Sequence, residues 1–194
     1  MNKIYYIFKY VYHRTFTPFY KIGWSVAFSK GVEIKNSKYI QIGKRVYIGK
    51  DALIQVELIH HLQFGYHKPK LKIGNYVTVN TGSVISAVSD IELEDDVIIA
   101  PYCYIADNSH SFDRVDVSIR YQGLDKVKPV KIKKGAWLGW SVAVYPGVTI
   151  GKNSVIGANS VVTKDIPDYC VAVGAPAKVM KKYDFESGKW LKVG

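Results

Sequence analysis

The chain has 194 residues, 48% of them apolar, and 27 Lys and Arg against 16 Asp and Glu give a formal net charge of +11. That length holds one well-buried domain with a small appendage and excludes two of ordinary size, and the apolar content excludes a disordered chain. The charge predicts attraction to an anion, whether nucleic acid, a membrane surface or a phosphorylated ligand, without choosing among them. Cys103 and Cys170 are too few for a disulfide framework and lack C-x-x-C spacing, which points to a reducing cytoplasm.

Residues 1–16 place Ile4, Ile7, Phe8, Val11, Tyr12 and Thr15 on one side at helical spacing, and Thr17-Pro18 is a stop. This predicts an amphipathic helix without an acidic residue, either capping the end of the fold or resting on an anionic membrane. Lys3, Lys9 and Arg14 interrupt every apolar run, so neither a signal peptide nor a spanning segment is read here.

From there the chain repeats every six residues. Aliphatic side chains fall at Ile42, Ile48 and Ile54, again at Ile73, Val79 and Ile85, and again at Leu93, Ile99 and Ile105. The longest run is Ile132, Leu138, Val144, Ile150, Ile156 and Val162, most with a small residue four places on (Ala136, Val142, Val148, Ser154, Ser160). The phase slips at 58–72, 89–92 and 111–131, which predicts insertions there. A six-residue period fits neither an amphipathic helix nor a half-buried hairpin strand, but it fits a short strand plus a turn. Three such units per coil, stacked at a strand spacing of about 4.8 Å, make a prism with aliphatic columns inside. Gly43, Gly49, Gly74, Gly139, Gly151 and Gly157 follow the aliphatic residue, where a bulky side chain is unwelcome near the turn. The 58–72 insertion carries His60, His61 and His67, but no acidic or sulfur ligand accompanies them and the spacing matches no common metal motif. No metal is expected. The tail after VGAPAKV mixes Lys with Tyr183, Phe185 and Trp190 and is expected to fold back as a helix or an arm.

The run from Ile73 to Lys182, and YPGVTIGKNSVIGANSVVTKDIPDYCVAVGAPAKV within it, resembles the hexapeptide-repeat acyltransferases. Among these it is most similar to galactoside and maltose acetyltransferases and to the O-acetyltransferases of bacterial surface-polysaccharide clusters. The resemblance implies an all-β solenoid, a left-handed parallel β-helix, over residues 25–177, with residues 1–24 as the N-terminal cap and 178–194 as a C-terminal arm. It implies acetyl-CoA as co-substrate, a sugar or glycan acceptor and a homotrimer, while the cysteines and the basic N-terminal segment point to a cytoplasmic place with peripheral contact to the inner membrane. No nucleic-acid partner is expected.

Acyl transfer to a hydroxyl needs a base, donors for the oxyanion and a site for the carrier. A histidine suits the first task, since an unperturbed imidazole is mostly neutral at pH 7. His110 ends the hexad IADNSH just before the 111–131 loop, and Ile105, Asp107 and His110 match the family's IxDxxH context for the catalytic base. Asp107 is placed among the acceptor contacts, and it or a backbone carbonyl is expected to orient the ring. Asn80 matches a substrate-contacting Asn, and Arg114, Arg120 and Tyr121 of the loop are placed near the acceptor. For the donor, the resemblance assigns Trp137 beside the carrier arm, Ala158 as a small backbone contact, and Thr163 with Lys164 near the adenosine. Lys178 and Lys182 stand where the family often has Arg against phosphate; lysine lacks the bidentate fork. Trp140 replaces a usually small residue. No Cys or Ser has the company of a base that would make it a nucleophile, so direct transfer follows. The competing readings are an N-acyltransferase on a nucleotide-linked amino sugar, a γ-type carbonic anhydrase, which needs three converging histidines, and a scaffold without catalysis.

Overall fold

The computed structural model describes residues 18–58 and 70–193. The expected helix over 1–16 and the three histidines of the 58–72 insertion lie outside them. Nearly all regular structure is strand, and most strands are two to four residues long. They stack into three walls, each strand pairing in parallel with the strand one coil above and below.

The first wall runs from Lys21–Ile22 through Ile40–Ile42, Leu71–Ile73, Ile91–Leu93 and Val130–Ile132 to Thr149–Ile150. The second begins at Ala27–Phe28 and passes through Tyr47–Ile48, Thr78–Val79, Ile98–Ile99 and Trp137–Leu138 to Val155–Ile156. The third stacks Glu33–Lys35, Leu53–Val56, Val84–Ala87, Tyr104–Ala106, Ala143–Val144 and Val161–Val162. The chain is therefore a three-walled parallel β-helix of six full coils, and the six-residue period is one wall and one corner.

The register explains the repeat. Ile42, Ile73, Leu93, Ile132 and Ile150 face one another in one unbroken column of the first wall. Ile48, Val79, Ile99, Leu138 and Ile156 form the column of the second, and Ile54, Ile85, Ile105, Val144 and Val162 that of the third. All fifteen side chains are buried. Burial of one such side chain contributes about 1.5–3 kcal/mol, so the columns dominate the stability of the prism.

The glycines after the aliphatic residues have a reason other than the turn. A Cβ on Gly43 would stand 2.5 Å from the carbonyl oxygen of Gly74 in the next coil, and one on Gly49 would stand 2.5 Å from the amide of Thr81. Close approach of stacked backbones excludes the side chain. The left-handed residues come two positions later and are often not glycine: Arg45, Tyr76, Asp96 and Asn153 at one corner, Asp51, Tyr102 and Asn159 at the next.

Past the last full coil, Cys170–Gly174 extends the second wall and turns back antiparallel into Ala177–Asp184 and then Lys189–Lys192. The tail is thus a β arm and not a helix. Its Tyr183 packs edge-on against Phe185 and Trp190, and Phe185 against Tyr169, at ring separations of 4.9–5.3 Å.

Candidate active site

The segment that carries His110 is fixed by a carboxylate. After the strand Tyr104–Ala106, Asp107 is fully buried, and its oxygens accept from the amides of Val88 (2.8 Å), Ser89 (2.6 Å) and Asp90 (2.8 Å) and from Asn108 Nδ2 (3.1 Å). These bonds tie the exit of one coil to the corner of the coil before. The chain then leaves the prism as Ser109–His110, which pairs antiparallel with Leu124–Asp125, Ser109 facing Asp125 and His110 facing Leu124. The 111–131 insertion is therefore an excursion with a β neck, and His110 is exposed on that neck.

Beside it lies a cleft of about 220 Å³ lined by Tyr104, Ala106, Asn108, Ser109, His110, Val144, Tyr145 and Pro146. Tyr104 and Tyr145 are half exposed there. Burial pushes the Tyr104 phenol up, and the neighbouring Tyr145, Glu57 and Asp107 push the same way. It therefore stays a neutral hydroxyl at physiological pH and can donate a hydrogen bond. Sequence reasoning missed both tyrosines. The signal available was their position, one place before and one place after a third-wall aliphatic residue, where the strand alternation turns side chains outward.

One assignment needs correction. Asp107 cannot touch an acceptor, because it is fully buried with three backbone amides on its carboxylate; it anchors the exit of the coil. Asn80 stands where the chain enters the third wall, with its Nδ2 donating to the carbonyl of Ile99 (2.9 Å), whereas His110 lies where the chain leaves that wall. One chain does not bring the two together. Of the excursion residues, Arg114 is paired with Asp116 through two contacts (3.1 and 2.5 Å), and Gln122 holds the Arg114 backbone. Arg120 and Tyr121 form an exposed turn over Ile119–Tyr121, in an excursion whose Phe112 and Val115 are also exposed.

The donor-side residues divide between two faces. Thr163 and Lys164 follow Val162, one coil beyond Val144 and Tyr145, and so share the edge of the His110 cleft. Trp137 points outward from the second wall, half exposed, and Ala158 lies at the corner between the second and third walls, next to Trp140. His110 and Trp137, which flank the excursion in sequence, therefore lie on different walls.

From Trp137 an outward row runs in register through Val155 and Val171 to Lys181 and Lys192. An aromatic, two valines and two cations in a line fit a ligand with an apolar arm and a phosphorylated end. Lys178, opposite Val173, shares that face. Lys182 does not: it pairs with Cys170, whose side chain is buried inside, and lines a recess with Lys133, Thr149 and Asp168. On this face it is Lys181, opposite Val171, that continues the row. Among the described residues no group of three or more His, Cys, Asp or Glu is placed to hold a metal ion.

Prism and excursion make the chain a three-walled parallel β-helix, and the resemblance to the hexapeptide-repeat acyltransferases read from the sequence is borne out. Residues 129–164 match the family described as Bacterial transferase hexapeptide (six repeats). The chain is similar to "Probable acetyltransferase Rv3034c" of Mycobacterium tuberculosis, 39% identical over 159 residues, which are 80% of this chain and 49% of the relative. The chain thus spans about half the length of that relative. Among solved structures, it resembles a hexapeptide-repeat acetyltransferase of Vibrio cholerae complexed with acetyl coenzyme A, at 26% identity and TM-score 0.59, covering 80% of this chain and 72% of that one. A maltose O-acetyltransferase from Clostridium difficile matches at 29% identity and TM-score 0.53, covering 83% and 71%. AntD, an N-acyltransferase from Bacillus cereus, shares the fold at TM-score 0.73 over 88% and 87% of the two chains, with 21% identity.

Proposed function

We propose that this chain is an acetyl-CoA-dependent O-acetyltransferase that acetylates a sugar hydroxyl during assembly of a bacterial surface polysaccharide, working in the cytoplasm as a homotrimer of left-handed β-helices. The observation that carries the reading is His110, presented on the β neck of the excursion at a cleft of about 220 Å³. The relatives named as acetyltransferases and the structure with bound acetyl-CoA support the donor.

His110 takes the proton from the acceptor hydroxyl as the oxygen attacks the thioester carbonyl carbon. When the C–S bond breaks, the imidazolium returns that proton to the departing sulfur, which leaves a sugar ester, CoA and a neutral histidine. Tyr104, as a neutral phenol, can hydrogen-bond the acceptor or the developing oxyanion. Acetyl-CoA supplies the activated acyl group; the row from Trp137 to Lys181 and Lys192 would hold its arm and phosphates.

The walls support assembly. The outward row of the first wall is Lys21, Gln41, Lys72, Glu92, Lys131 and Thr149, a solvated surface with Lys131 between Glu92 (3.1 Å) and Glu94 (2.9 Å). The second wall presents Ile98, Trp137, Val155 and Val171, and the third Leu53, Val84, Tyr104, Ala143 and Val161. Copies that set the second wall of one against the His110 edge of another bring the two halves of the site together.

The test is His110→Ala, which should fold and bind CoA yet lose transfer by about two to four orders of magnitude. Near-normal turnover would overturn the assignment. The alternative, an N-acyltransferase on a nucleotide-linked amino sugar, shares this fold through AntD; an amide in place of a hydroxylamine-labile ester in the product would establish it.

A further inference from the structure

The charge of the chain is gathered at one end. Its first 49 residues hold nine Lys and Arg against one acid, Glu33, so +8 of the net +11 lies there. Glu33 is itself paired with Lys35 (3.8 Å). The described chain begins at Pro18, just before the first-coil strand Lys21–Ile22. Residues 1–17, with Lys3, Lys9 and Arg14 and no acid, are therefore tethered to that same end.

The corner between the first and second walls shows how these cations are displayed. In the second coil Arg45, and in the third Tyr76, takes the left-handed turn position that Asp96, Gly135 and Asn153 hold in later coils. The Arg45 guanidinium lies over the ring of Trp24 from the preceding coil, 4.8 Å from its centroid, and over that of Tyr76 from the following coil, at 5.8 Å. Lys44 lies over the Tyr76 ring as well (5.8 Å). Trp24 is 50% exposed and Tyr76 45%. Stacking fixes the plane of the guanidinium and leaves its N–H edge for another partner. Among the described residues, the Arg45 side chain donates no hydrogen bond, and Lys21, Lys38, Lys44 and Arg45 form no ion pair. The fourth coil bounds the patch with acids that are already engaged. Asp95 accepts from the amide (2.7 Å) and Nδ2 (3.0 Å) of Asn75, with Lys44 at longer range, and Asp96 pairs with Lys134 (3.4 Å).

Unpaired cations beside half-exposed Trp and Tyr suit a bilayer interface, where the rings sit at headgroup level and the cations meet lipid phosphates. A single-stranded nucleic acid would instead want open ring faces for its bases, and here Arg45 and Lys44 lie on them. We infer that this corner docks the protein on an anionic membrane, with Arg45 and Lys44 on lipid phosphate oxygens and Trp24 and Tyr76 among the headgroups. The inference uses no residue of the His110 cleft or of the Trp137 row and stands apart from the acyltransferase reading.

The experiment is co-sedimentation of the full chain with vesicles of phosphatidylcholine alone and of phosphatidylcholine and phosphatidylglycerol in equal parts. The wild type is expected to pellet with the anionic vesicles only, and less so as salt is raised. Arg45→Gln and Trp24→Ala should each weaken that partitioning about three- to tenfold, with a cooperative thermal melt showing that the fold is kept. Lys189→Gln, the same loss of charge on the C-terminal arm, should leave it unchanged. Fluorescence gives a second readout, because Trp24 is the first of four tryptophans and residues 1–17 contain none. Brominated phosphatidylcholine in the anionic vesicles should quench the bound protein, and Trp24→Phe should abolish that quenching. A wild type that ignores anionic vesicles overturns the inference. So does equal binding by wild type, Arg45→Gln and Trp24→Ala, or bound protein without quenching. Arg45-dependent binding of a single-stranded oligonucleotide that the vesicles do not displace overturns it in favour of nucleic acid.

Discussion

Replacing Asp107 separates two roles that the sequence leaves joined, orienting the histidine and anchoring the coil. In Asp107→Asn, Oδ1 can still accept from Val88, but the other terminus becomes an amide N–H₂ aimed at the amides of Ser89 and Asp90, which it met at 2.6 and 2.8 Å as an acceptor. Two donors then face a donor in a buried site. Each lost bond to a charged acceptor contributes about 1.5–3 kcal/mol, and partial access of water to Ser89 and Asp90 reduces the sum to about 2–5 kcal/mol. For a chain of this size that is a fall in Tm of roughly 5–15 °C at fixed protein concentration. Activity should fall with it, because the His110 neck starts two residues on. The pH dependence of the residual turnover should keep its wild-type shape, since the base is the same group in the same solvent. The assay is a thermal melt beside a pH–rate profile. A variant with wild-type Tm and a displaced acid limb would refute the reasoning and show that Asp107 acts on the imidazole itself.

The other predictions are direct. Gly43→Ala, which forces a methyl against the Gly74 carbonyl, should destabilise by about 1–3 kcal/mol in a denaturant titration, as overpacking does. Lys181→Ala should weaken CoA binding about three- to tenfold at low salt and less at high salt, while Lys182→Ala leaves it unchanged; calorimetry at two ionic strengths checks both. Cys103 and Cys170 are buried, and burial raises both thiols. A raised thiol carries less thiolate at any given pH below its new value, so Ellman's reagent at pH 8 should find neither in the folded protein and both after denaturation. The membrane reading of residues 1–16 predicts salt-sensitive co-sedimentation with anionic vesicles, and equal binding by a chain that starts near Gly23 would reduce that segment to a cap.

What the sequence yielded was what a period can carry. The hexad phase named all fifteen column residues, because an aliphatic side chain every sixth place is the direct imprint of one wall plus one corner. The neck of the excursion was legible as a break in that phase. Orientation was less so. Asp107 stands two places after Ile105 and three before His110, and a carboxylate so near a histidine reads as its partner; only the stacking of coils reveals the amides of 88–90 beneath it. Lys181 and Lys182 differ by one place, and in a strand one place is the other face. Their assignment needed the register with Cys170 and Val171, across an irregularity between Val171 and Ala172 that no pattern in the sequence announces.

The separation of His110 from Trp137 was within reach of the sequence, and it shows how a solenoid should be read. Walls repeat every third hexad, so Leu93, Ile99 and Ile105 occupy walls one, two and three, and Ile132 resumes at wall one because the excursion consumes no wall. Trp137, one place before Leu138, is then on wall two, while His110 follows wall three. Nearness along the chain across an excursion says nothing about nearness in space; position modulo three hexads does. By that count Tyr104, Tyr145 and Thr163 belong with His110, and Val155, Val171 and Lys181 with Trp137. On the proposed function each set is half of an acyl-transfer site, a base with an acceptor cleft and an apolar row with cations. On the proposed function, two half-sites on different walls would meet where the prisms of neighbouring copies pack, so catalysis and assembly would depend on the same apolar rows.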